Sequence, residues 1–98
     1  MSKVYIVNKS SHDFTNAEKF GKLIYCTDGR INRFATNDMA RKFNDAMRNS
    51  SENDYILLCA LSVMNSIACS VFACKHKRLN LLLYKDGEYL ERNMVFYD

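Results

Sequence analysis

Tyr55-Ile56-Leu57-Leu58-Cys59-Ala60-Leu61 runs directly into Ser62-Val63-Met64-Asn65-Ser66, and a second apolar run, Leu79-Asn80-Leu81-Leu82-Leu83-Tyr84, follows a helical stretch. Read together, Asp54 to Lys85 is strand, tight turn, helix, strand. That is a parallel β-α-β unit, because a helical crossover returns the second strand in the direction of the first. The rival reading is a membrane span, since Tyr55 to Cys74 has about the twenty residues that a bilayer helix needs. Ser62, Asn65, Ser66 and Ser70 interrupt that span, and a strand followed by an amphipathic helix accounts for them better. No membrane segment is expected. Parallel sheets carry their sites where a strand's carboxyl end meets the next helix, so Leu61-Ser62-Val63 also marks an address for function.

The 98 residues are 48% hydrophobic and 26% charged, with a formal net charge of +3. This describes one globular domain, residues 1–98, too apolar for a disordered chain. The charge falls well short of the concentrated basic surface of a dedicated DNA-binding domain, so nucleic acid is not an expected partner. Cys26, Cys59, Cys69 and Cys74 sit in apolar or helical patterns, and Met1-Ser2-Lys3-Val4 begins directly as a strand without a signal peptide. Reduced thiols in a cytoplasm are the expectation. The cysteines lack CxxC spacing and make no zinc pattern with His76, so they read as buried structural thiols, with no metal and no cofactor.

Outward from the opening unit, Lys3-Val4-Tyr5-Ile6-Val7 and Leu23-Ile24-Tyr25-Cys26-Thr27 are short strands. Between them, Thr15 and Glu18 at capping-box spacing predict a turn or short helix that Gly21 ends. Met39, Ala40, Phe43, Ala46 and Met47 recur at helical spacing, with Thr36 or Asn37 as the cap. The second long helix, residues 62–77, has Met64, Ile67, Ala68, Val71 and Phe72 on one side. Ser66, Cys69, Ser70 and Ala73 make a small-residue side, and with both sides predicted buried a second copy of the chain is an expected partner. Lys75-His76-Lys77-Arg78 reads as a helix end favoured by the macrodipole. Asp86-Gly87 predicts a hairpin. The order β-β-α-β-α-β-β gives a single three-layer α/β domain with a mostly parallel central sheet and a C-terminal antiparallel hairpin.

Two turns gather polar groups. Asn8-Lys9-Ser10-Ser11-His12-Asp13 offers a cation, hydroxyls, an imidazole and an amide, and emerges on the same sheet edge as Ser62 if both strands are parallel. Free amides at the start of the second long helix, with Ser62 and Asn65, would favour an anion. The plainer readings are a hydrophilic loop and simple capping by Ser62. No Walker loop or dinucleotide fingerprint is present, because the glycines are missing. Arg30 and Arg33 beside Phe34 can hold a phosphate and stack a base, or form a helix-preceding loop with Phe34 tucked into the core. His12 is the candidate for acid-base work, next to Asp13.

Asn8-Lys9-Ser10-x-His12-Asp13-Phe14, Ala17-Glu18-Lys19-Phe20-Gly21, Asn32-Arg33-Phe34-Ala35-Thr36, Val63-Met64-Asn65-Ser66-Ile67-Ala68-Cys69 and Arg78-Leu79-Asn80-Leu81-Leu82 together resemble a family of small bacteriophage-encoded proteins. A short strand followed by a Ser/His loop on a compact α/β frame is also similar, in topology, to small Rossmann-like ring nucleases and sensors of cyclic oligonucleotides. The two convergent turns, the available cations and the oligomer-compatible helix point to a small anionic ligand, a cyclic nucleotide among the candidates, held without catalysis. A phage protein of that kind would sequester a host immune signal in the host cytoplasm. Asn8, Lys9, Ser10, Ser11, His12, Arg30, Arg33, Ser62 and Asn65 would form the site, with Phe34 or Tyr25 against a base. The alternatives are a ring-nuclease-type phosphodiesterase using His12 and an assembly module without a ligand.

Overall fold

Val4 and Ile6 face one side of the first strand and Tyr5 and Val7 the other, and all four are buried. A strand apolar on both faces belongs in the middle of a sheet covered on both sides. The computed structural model describes residues 2–96. Its elements are β1 (Lys3–Ile6), a 3-10 helix (Thr15–Phe20), β2 (Lys22–Tyr25), α1 (Thr36–Ala46), β3 (Tyr55–Leu57), α2 (Ser62–His76), β4 (Arg78–Lys85) and β5 (Glu88–Val95).

The sheet order is β2-β1-β3-β4-β5, with β1 to β4 parallel and β5 antiparallel to β4. This is the expected mostly parallel sheet with a terminal hairpin. The chain leaves β1 for β2 on one side, then crosses to β3 on the other. Crossovers of one hand that travel in opposite directions must lie on opposite faces. Accordingly α1 and α2 pack on Tyr5, Val7, Ile56 and Leu79, while Phe14 and Ala17 from the 3-10 helix region pack on Val4, Ile6, Leu57 and Leu82. The third layer is therefore thin, a single short 3-10 helix.

Met39, Phe43 and Met47 point inward from α1 and its end at four-residue spacing. Asp38 on the outer side pairs with Arg41 and Lys42, both at 3.2 Å, the neighbour spacing of a helix surface. Neither Thr36 nor Asn37 caps α1. Ala35 holds the cap position without a side-chain bond, because Asn32 turns the chain first, its Oδ1 accepting the Phe34 amide and its carbonyl the Ala35 amide, each at 3.0 Å.

Ser62 is likewise not the cap of α2. Leu61 holds that position and Ser62 is the first helical residue. Met64, Ala68 and Phe72 are buried, but the small-residue side is not: Ser66 and Ser70 are exposed. Their hydroxyls donate to the Ser62 and Ser66 carbonyls at 2.8 Å, which satisfies them without a neighbour. The helix ends at Lys77 in the left-handed region, φ 56°, with its amide on the Ala73 carbonyl. No helix among the described residues is long and apolar enough to cross a membrane.

The expected Thr15–Glu18 capping box is absent. Asp13 accepts instead from the Thr15 amide, at 2.9 Å, and from the Thr15 hydroxyl. At the far end of the chain Asp86 and Gly87, φ 52° and 86°, form the two-residue hairpin turn that favours the right-handed twist of its strands. β4 pairs with β5 along all eight residues but meets β3 only through Leu81 and Leu82. The hairpin thus overhangs the sheet. Asn16 Nδ2 donates to the Gly87 carbonyl at 3.2 Å, joining the 3-10 helix to the hairpin tip.

Candidate functional site

The carboxyl ends of β1, β2 and β3 share one edge, and the order reverses at β1, which makes the gap between β1 and β3 the switch point of the sheet. Past that edge the first two loops are zipped together. The Lys9 amide donates to the Thr27 carbonyl at 2.8 Å, and the Cys26 amide to the Ile6 carbonyl at 2.9 Å. The Thr27 hydroxyl lies 2.7 Å from the Val7 carbonyl and 2.8 Å from Asn8 Oδ1, one hydrogen facing two acceptors. Asn8 Nδ2 donates to the Gly29 carbonyl at 2.9 Å. The loop after β1 is a fixed platform.

A cavity of about 520 Å³ opens at this edge on the 3-10 face. His12, Asp13 and Phe14 form its rim from the first loop, Leu57 at the end of β3 with Leu58 and Cys59 after it its back, and Tyr84 and Tyr89 its far wall from the overhanging hairpin. The two tyrosines are directly opposed across the strands with ring centroids 5.4 Å apart. His12 stands 6.3 Å from Phe14 in an edge-on arrangement. Ring faces with a few polar groups are what a planar ligand needs.

The titratable groups of this cavity are set by their surroundings. Burial pushes the Cys59 thiol up, so it stays protonated at neutral pH, and its Sγ lies 3.6 Å from the Asn8 carbonyl. Burial also raises the Tyr89 hydroxyl, followed by the charges of Cys59, Tyr84 and Asp13. The Thr15 hydroxyl and amide hold the Asp13 carboxyl below the ordinary carboxylate range. Asp13 Oδ1 is committed to Thr15.

A second cavity, about 530 Å³, lies beside it over the ends of β1 and β2, lined by Lys9, Tyr25, Thr27, Asp28, Ile31 and Lys42 with Cys26 at its base. Lys9 Nζ sits 5.5 Å from the centre of the Tyr25 ring. Phe14, on the first cavity, and Tyr25, on the second, are 6.3 Å apart.

Of the residues singled out in the sequence, His12 reaches the first cavity and Lys9 the second. Asn8 serves the platform, and Ser10 Oγ accepts the His12 amide at 3.2 Å. Ser11 and Arg30 are exposed. Arg33 lies 5.2 Å over Phe34, which is 79% exposed and not tucked into the core. Ser62 and Asn65 do emerge on the same edge but line neither cavity. Asn65 Nδ2 holds the Ala60 carbonyl at 3.0 Å, and its Oδ1 is buried without a partner among the described residues. Nor are the thiols the buried set expected: Cys26, Cys59 and Cys69 are half-buried and Cys74 is exposed.

The sequence reading missed Tyr84 and Tyr89. Their signal is an aromatic residue on each side of Lys85-Asp86-Gly87-Glu88, where a two-residue turn makes them a cross-strand pair.

The sequence model of the phage Pam3 gp32-like protein family matches residues 2–95. The chain belongs to that family. All five sequence pieces that resembled small phage proteins lie inside the matched range, as do both cavities of this gp32-like fold. No curated protein and no solved structure matches it.

Proposed function

We propose that this gp32-like protein binds a small nucleotide-type ligand, its planar ring in the first cavity and its phosphate toward the Lys9–His12 segment. The observation that carries this reading is the aromatic cavity at the switch point of the sheet, rimmed by a fixed loop that bears an imidazole and, one cavity over, an ammonium. Tyr84 offers a ring that is 65% exposed, and stacking on such a ring contributes about 1–3 kcal/mol per base. The binder is favoured over a phosphodiesterase because Asp13, the neighbour that would orient His12, turns its Oδ1 to Thr15 and makes no hydrogen bond to the imidazole among the described residues. As a phage protein it would sequester a host signal of this chemistry rather than destroy it.

Calorimetric titration with a panel of mononucleotides and linear and cyclic dinucleotides tests the reading. Binding is expected for at least one, weakened about tenfold or more by Tyr84→Ala, with the ligand recovered intact by chromatography. Silence across the panel overturns it, and recovery of a cleaved product replaces the binder with an enzyme.

A further inference from the structure

β5 is an edge of the sheet: β4 pairs with all eight of its residues, and no strand lies on its outer side among the described residues. Edges are ordinarily kept from pairing by bulges, proline, a covering element or charges. Here the register with β4 is unbroken and the chain contains no proline, so only the charges Glu88, Glu91 and Arg92 guard it. In a two-residue hairpin the pair next to the turn is hydrogen-bonded, so Glu88, Leu90, Arg92 and Met94 direct their backbone groups to β4. Tyr89, Glu91 and Asn93 direct theirs outward. The Glu91 carbonyl, lacking a strand, accepts from the guanidinium of its own neighbour Arg92 at 2.8 Å.

The helix side of this ribbon is also partly bare. The cluster under α1 and α2 reaches Leu79 and Leu81 of β4, but Leu83 and Met94 remain 37% and 38% exposed, and Leu90, opposite Leu83, is half-buried. Glu88 and Arg92, on the same side, have no ion-pair partner among the described residues.

We propose that β5 pairs antiparallel with β5 of a second copy of this chain, centred on Leu90. A two-fold axis normal to the sheet sets one residue opposite its own copy, and the sequence discriminates among the choices. Centred on Glu91 or Arg92, the pair opposes like charges, which is destabilising. Centred on Tyr89 or Asn93, it sets Leu90 opposite Glu88 or Met94 opposite Arg92. Centred on Leu90, it sets leucine on leucine and Glu88 on the second copy's Arg92, twice over by symmetry. Tyr89 then exchanges ladder hydrogen bonds with the second copy's Glu91, both being outward-directed residues. That amide takes the Glu91 carbonyl and releases Arg92 to the second copy's Glu88. Because Leu83 stands beside Leu90 and Lys85 beside Glu88, a row of leucines crosses the joined sheet, flanked by rows of alternating charge. This surface is independent of the nucleotide reading.

Sedimentation equilibrium on the full chain tests the pairing. A concentration-dependent dimer is expected, and a parent chain that stays monomeric up to about 1 mM overturns the proposal. Leu90→Arg sets two cations at the axis, while Glu88→Arg and Arg92→Glu each set like charges at both crossings; each should weaken the dimer about tenfold or more. Glu88 and Arg92 are exposed, so the circular dichroism of their variants should match the parent's. Mixing the Glu88→Arg and Arg92→Glu variants restores opposite charges at both crossings and should recover the dimer. A dimer indifferent to the three substitutions, or a mixture that stays monomeric, overturns the β5 pairing.

Discussion

Asn80 on β4 holds Asp54 at the start of the neighbouring strand β3: its side-chain amide donates to the Asp54 carbonyl at 2.8 Å and to the Glu52 carbonyl at 2.7 Å. Asn80 Oδ1 in turn accepts from Arg78, and the Asp54 carboxylate accepts the Lys3 and Ser51 amides at 2.9 and 2.8 Å. The start of three strands is thereby fixed by two buried polar side chains. Asn80→Leu strands two carbonyls and is expected to cost roughly 1–3 kcal/mol. Urea unfolding measures it, and a loss below about 0.5 kcal/mol would show that water replaces the amide.

Gly21 and Gly29 make a contrasting pair. A Cβ on Gly21, φ 156°, would stand 2.2 Å from the Ser2 carbonyl oxygen, a backbone atom that cannot turn aside. At Gly29, φ 75°, a Cβ meets nothing. Gly29→Ala is expected to lose about 1 kcal/mol to the left-handed backbone alone. Gly21→Ala should lose about 1–3 kcal/mol or more through overpacking. Denaturant midpoints check the order, and an equal loss at both positions would remove the steric account.

Alkaline pH should destabilise the fold. Burial, then Asp54, pushes the Tyr5 hydroxyl from 10.0 up to about 12, and burial, then Cys59, pushes the Cys26 thiol from 9.0 up to about 12. Both pKa values are higher in the folded state, so the stability they contribute is complete below the unfolded values and is lost as pH rises toward 12. Thermal melts between pH 8 and 12 should decline, and Tyr5→Phe should make the upper part of the decline shallower. A Tyr5→Phe profile parallel to the parent's would refute the assignment to Tyr5.

The thiols should react in a set order. Cys74 is exposed, whereas burial raises Cys26, Cys59 and Cys69. Because the thiolate is the nucleophile, iodoacetamide at neutral pH should label Cys74 first and Cys26 last, followed by peptide mass spectrometry. Bound ligand should slow Cys59, which lines the first cavity, and leave Cys74 unchanged.

Much of the fold was legible because it is written in periodicity. Met39, Phe43 and Met47 announce one helix, and Met64, Ala68 and Phe72 the other, since a buried face repeats with the helical turn. The caps were misread for a local reason. Thr36 and Ser62 are good capping residues, but Asn32 and the Ala60–Asn65 contact turn the chain before either is needed. Half of the candidate site's lining was legible in the same way, since Lys9 and His12, which line the two cavities, follow a recognisable strand. The other half was not, because Tyr84 and Tyr89 reach the cavity only through the length by which β4 outruns β3, and that register is decided by tertiary pairing at Leu81 and Leu82.

That overhang gives the first cavity one wall of a different mechanical kind. Its back is anchored in the middle of the sheet, while its far wall is a two-stranded ribbon, and such ribbons are more strongly twisted than sheets. The bond from Asn16 to the Gly87 carbonyl is the clasp at the ribbon's tip. The wall is thus split in character: Tyr89 is seated in the core with Phe14, Ala17 and Leu82, while Tyr84 across from it stays 65% exposed, so one ring of the pair anchors the ribbon and the other is the surface it offers to solvent.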